Sequence, residues 1–94
     1  MIEVTQIGNS DPLKFDVLVS DGNGETRHRV TLAREYCEKL TRGTCAPKRC
    51  IEAAFRFLLD REPKETILAS FDVTVISRYF PEFETELPRY IAQG

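Results

Sequence analysis

Over residues 13–20, apolar and polar positions alternate. Leu13, Phe15, Val17 and Val19 fall on one face and Lys14, Asp16 and Ser20 on the other, with Leu18 the exception. A two-residue period is that of a half-buried strand. The turn formers Asp21-Gly-Asn-Gly24 follow, then a second run in which His28 and Val30 share a face. Asn-Gly readily takes the positive φ of a type I′ turn, which predicts a β-hairpin. A two-residue loop at Asn23-Gly24 pairs Val19 with His28. A four-residue loop from Asp21 to Gly24 pairs Val17 with His28. Both registers put Phe15, Val17 and Val19 on the face of His28 and Val30, and a slip by one residue would not. Upstream, Ile2, Val4 and Ile7 precede a cluster of turn formers at 8–12. A third strand there would make a meander over residues 2–31.

The period then changes to that of a helix. Ala33, Tyr36, Cys37 and Leu40 recur at helical spacing, with Thr31 as a possible cap and Gly43 suited to the left-handed C-terminal position. From Pro47 to Arg61 the polar residues Arg49, Glu52, Arg56 and Asp60 form one narrow stripe, and nearly all else is apolar. Such a helix is buried on most sides, as the central helix of the domain or part of a subunit interface. Pro63 starts another turn of helix through Ile67 and Leu68. Residues 71–77 carry two signals. Their β-branched content favours a strand, while the spacing Leu68, Phe71, Val75, Tyr79 and a capping Asp72 favour a helix. We read them as a helix. Pro81 ends it, Phe80, Phe83, Leu87 and Tyr90 offer an apolar face to the next, and Pro88 interrupts or ends that one. The fold class is α+β, one domain over residues 1–94. An N-terminal antiparallel hairpin or three-stranded meander packs against a C-terminal helical bundle with a buried central helix.

Composition narrows the function classes. A chain of 94 residues, 41% hydrophobic and 30% charged, supports one globular core. A net charge of −2 gives no overall field to recruit nucleic acid or anionic lipid. No apolar run approaches the roughly 20 residues of a membrane span, and no secretory signal is visible. The three cysteines therefore read as reduced thiols in a cytoplasmic protein.

Few residues carry chemistry. His28 is the one histidine, and it points to the apolar face of the hairpin, where it reads as a partly buried ring paired with a backbone or carboxylate group. Nucleophilic triads need a histidine in the open, so no catalytic residues are assigned and the protein reads as no enzyme. Gly22-Asn-Gly24 precedes a strand, the wrong context for a phosphate loop, and no cofactor is implied. The spacing of Cys37, Cys45 and Cys50 lacks paired zinc knuckles, so no metal is assigned. Cys45 stands near the start of the long helix, where the helix dipole lowers a thiol pKa, and is the candidate reactive thiol.

The order strand (Arg29-Val-Thr-Leu32), short helix (33–40), turn (Thr-Arg-Gly-Thr44) and longer helix (47–61) resembles the ribbon-helix-helix family of dimeric DNA-binding regulators. The resemblance implies a strand shared between two subunits in the major groove. Arg27, Arg29 and Thr31 would then be the contact residues for nucleic acid or another partner, and dimerisation would account for the apolar helix. The Asn-Gly hairpin competes for that strand's edge, and the chain is acidic. We therefore rank a non-enzymatic intracellular interaction or regulatory module first, with an unidentified protein partner or self-association, and the DNA-binding regulator second. The aromatic tract from Tyr79 to Tyr90 is either its binding surface or core.

Overall fold

Val17 sits opposite His28 and Phe15 opposite Val30, which is the second of the two registers the alternation allows. A computed structural model describes residues 1–93 of the chain. The hairpin is formed by β2 (Leu13–Asp21) and β3 (Gly24–Leu32). Its turn differs from the type I′ expectation. Positive φ falls on Gly24 (118°), while Asn23 keeps a negative φ. The Asp21 carboxylate accepts the Asn23 N–H at 2.7 Å, and this Asx turn holds the backbone in another geometry. β1 (Ile2–Ile7) pairs antiparallel with β2, Val4 opposite Val17, completing the meander.

After the meander come α1 (Arg34–Thr41), α2 (Pro47–Leu59), a 3₁₀ turn (Lys64–Thr66), β4 (Ser70–Asp72), α3 (Thr74–Tyr79) and α4 (Phe83–Gln93). β4 is a strand that the helix reading of 71–77 did not contain. It lies parallel to β3, Phe71 beside Val30, and gives the sheet order β1-β2-β3-β4. The helix reading holds from Thr74 onward, and the β-branched residues Thr74, Val75 and Ile76 that favoured a strand lie inside that helix, whereas the strand itself, Ser70–Asp72, has no β-branched residue. Asp72 takes the Thr74 N–H at 3.0 Å and the Thr74 hydroxyl at 2.6 Å, which stops the strand and starts the helix.

One face of the sheet is apolar. Leu13, Phe15, Val17, Val30 and Leu32 are all 1% exposed or less. Helix α2 buries Cys50, Ile51, Phe55 and Phe57 and packs on α4 and β1. The helices form a layer over this sheet face, with β4 inserted among them in chain order, rather than the expected helical bundle around a buried central helix. The opposite face carries the exposed Glu3, Thr5, Lys14, Asp16, Arg27 and Arg29.

Two helix ends also depart from expectation. α1 closes on Arg42 in the left-handed region (φ 53°), with Gly43 following at 72°. α4 runs through Pro88. Pro88 is exposed, and the burial of Phe83, Leu87 and Tyr90 on the other side offsets its missing N–H. No helix among the described residues is long and apolar enough to cross a membrane.

Candidate functional site

The residues singled out in the sequence do not converge. Arg27 and Arg29 project from the open sheet face. The Arg27 side chain is 78% exposed, its guanidinium 3.7 Å from Glu25. Arg29 Nε donates to Asp16 Oδ1 at 2.5 Å across the hairpin. Glu3, Asp16, Arg27 and Arg29 line a shallow hollow of about 520 Å³ around Leu18. Acids and bases alternate there, so the hollow has no strong preference for an anion. Thr31 donates to Asp72 Oδ1 at 2.5 Å and so spends its hydroxyl on β4. At residues 29–31, β3 has β2 on one edge and β4 on the other. A ribbon shared with a second copy over that stretch would have to displace β4.

His28 is 4% exposed. Its Nδ1 lies 2.8 Å from the Leu68 carbonyl and its Nε2 2.8 Å from the Thr26 hydroxyl. A carbonyl only accepts, so Nδ1 carries the proton. The ring sits 5.4 Å from that of Phe55. His28 therefore ties β3 to the segment leading into β4.

The cysteines are quiet. Cys37 and Cys50 are buried, and burial pushes both thiols up. Cys45 is half-buried just before α2. Burial pushes its thiol up and Arg49 pulls it down by less, a net shift opposite to that of a helix dipole. Among the described residues, no three metal-ligating side chains are grouped to hold an ion.

The C-terminal aromatics are mostly core. Phe57 meets Phe80, Phe83 and Tyr90 edge-on at 5.8, 5.0 and 5.7 Å, and the Arg61 guanidinium covers it at 3.7 Å. Arg61 also donates to Glu82 at 3.0 Å and to the Tyr90 hydroxyl at 3.3 Å. Tyr79 is different, being 69% exposed.

Tyr79 stands on the rim of an apolar groove of about 410 Å³, lined among others by Leu58, Ile67, Leu68, Phe71 and Ile76. Leu68, 49% exposed, lies on the same groove. Leu68, Phe71, Val75 and Tyr79, the stripe that reads as one helix face, all line this hollow. They meet because the segment before β4, β4 itself and helix α3 turn around it. Grouping was legible in the spacing, and the concavity was not. Glu62 is the one charged lining residue among those described.

The groove runs beside a free sheet edge. Arg29 N–H donates to the Ala69 carbonyl at 2.8 Å and Val73 N–H to the Thr31 carbonyl at 3.0 Å. Residues 69, 71 and 73 therefore turn their backbone groups towards β3. In a parallel ladder the intervening Ser70 and Asp72 turn theirs away, and among the described residues no strand lies beyond β4. No family model, curated protein or solved structure matches the chain.

Proposed function

We propose that this protein is a small non-enzymatic interaction module whose contact surface is the groove beside β4. One observation carries the reading. Leu68 and Tyr79, 49% and 69% exposed, share a single apolar hollow at an unpaired sheet edge. Scattered exposed apolar residues are ordinary, whereas apolar groups gathered around a concavity mark a binding surface. The buried histidine, the raised thiols and the buried C-terminal aromatics leave no other side-chain cluster better placed. The second reading, a DNA-binding ribbon through Arg27, Arg29 and Thr31, asks for the β3 edge that β4 holds. The groove is therefore favoured.

The test is site-specific photocrosslinking in the cell of origin. A photoreactive phenylalanine analogue replaces Tyr79, or Lys14 on the open sheet face as control. The reading expects a discrete adduct from position 79 that disappears with Leu68→Asp and is absent from position 14. No adduct from position 79, or equal adducts from both, would overturn it.

A further inference from the structure

We infer that the β4 edge accepts an extended segment of another protein as a fifth strand, with an apolar side chain of that segment in the groove and basic residues beside it. This rests on the groove being the contact surface, and it adds the shape and charge of the occupant.

The backbone sets the shape. The outward N–H and C=O groups of Ser70 and Asp72 form a short template that only an extended chain can satisfy along its length. Between them, Phe71 turns its side chain to the helical side of the sheet, where it lines the groove. A residue paired beside Phe71 in a new strand has its side chain over the same hollow, because paired neighbours share a face. Its own neighbours in that strand point to the open side. The side chains two positions away return to the groove side, at its two ends. Main-chain bonds thus supply the register and one anchor supplies the apolar contact.

Charge sets the composition. The segment 60–82 that frames the groove contains five carboxylates (Asp60, Glu62, Glu65, Asp72 and Glu82) against three cations (Arg61, Lys64 and Arg78). Two of those cations are already committed. Arg61 pairs with Glu82 at 3.0 Å, and Lys64 pairs with Glu65 at 2.7 Å and Asp21 at 2.9 Å. Glu62, on the groove wall, has a hydroxyl partner in Thr66 at 2.7 Å and, among the described residues, no paired cation. Self-pairing of β4 between two copies would bring two net-negative 60–82 segments together, which disfavours a second copy as the occupant. A lysine or arginine two residues from the anchor can meet the Glu62 carboxylate on the groove wall.

The test uses the full chain and a defined peptide, Lys-Thr-Lys-Val-Leu-Val-Lys-Thr-Lys, blocked at both ends and fluorescently labelled. Binding is read by polarisation, and contacts by amide shifts in NMR spectra. We expect saturable binding with shifts centred on Ser70 and Asp72, at least tenfold weaker in Leu68→Asp and in Tyr79→Ser. Both side chains are exposed, so both variants should keep the wild-type circular dichroism. Glu62→Gln should weaken binding several-fold and flatten its salt dependence. Two N-methylated peptides, blocked on alternate amides, should differ, one losing binding and the other keeping it.

Equal binding of the two N-methylated peptides would overturn strand addition. Equal binding of a peptide with glutamate for lysine would overturn the basic composition. No binding of any peptide would overturn the inference, and a Tyr79 crosslink obtained alongside would leave the groove reading standing. A dimer in sedimentation that Leu68→Asp abolishes would overturn it in favour of a second copy.

Discussion

His28 Nδ1 lies 2.8 Å from the carbonyl oxygen of Leu68, forty residues further along the chain. This bond fixes the segment that carries one rim of the groove to β3, an inner strand of the sheet. The second ring nitrogen is matched by Thr26 at 2.8 Å, so the buried imidazole has both of its polar atoms partnered. His28→Leu keeps the bulk but leaves the Leu68 carbonyl without its donor. It should cost about 1–3 kcal/mol in urea unfolding and weaken any ligand of the groove.

Lys64 is 4% exposed and ties the 3₁₀ turn to the hairpin tip through Asp21. Its ammonium is held above its ordinary value by Glu65 and Asp21. The Asp21 carboxyl is held down by Lys64 and by the Asn23 N–H, and the Glu65 carboxyl by Lys64. A raised lysine contributes stability that is fully present below its unfolded pKa and lost as pH rises through the folded one, above about pH 10. The lowered carboxylates contribute stability present above their unfolded values and lost as pH falls below about 4. Stability against pH should therefore fall at both ends, and Lys64→Met should flatten both limbs. An unchanged profile in the variant would show that these charges play no part.

Phe57 is fully buried where α2 meets α4, ringed by Phe80, Phe83 and Tyr90 and covered by Arg61. Phe57→Ala should cost about 3–5 kcal/mol in denaturant unfolding. The cavity lies among rings held from four directions, so it has little room to collapse.

Thiol labelling should follow burial. At pH 7 a thiol reagent should modify Cys45 slowly, and Cys37 and Cys50 only on unfolding, because burial pushes all three thiols up. The Cys45 rate should rise steeply with pH. Fast labelling of Cys45 at pH 7 would restore the helix-dipole expectation.

Arg29 and Asp16 form a close pair on the open face, yet their side chains are 53% and 54% exposed. Arg29→Ala should cost under about 1 kcal/mol, read by thermal unfolding. Arg27→Ala should be near neutral, since its partner Glu25 is 3.7 Å away and both side chains are solvated. If either arginine bound duplex DNA, its loss would instead appear as a weakened, less salt-dependent association.

The alternation over 13–20 and 26–32 determined more about this protein than any other stretch of sequence. It specified which face of the hairpin is buried, put His28 on that face and restricted the pairing to two registers, because each strand's pattern is local and has a fixed period of two. The helical period likewise located α1 and α2, and the apolar spacing of Phe83, Leu87 and Tyr90 marked a buried face. Three features came only from the tertiary structure. β4 is three residues long, too short for a period, and exists because Phe71 finds Val30 across the sheet. The Asp21 carboxylate that bonds the Asn23 N–H in the turn also holds Lys64 from forty-three positions away, a pairing that no local pattern marks. The groove needed Leu68 before β4, Phe71 on β4, and Val75 and Tyr79 on α3 to gather around one hollow. Periodicity reports the average direction of neighbouring side chains. A parallel strand, a long-range ion pair or a concavity depends on segments distant in sequence, and only their packing brings these together.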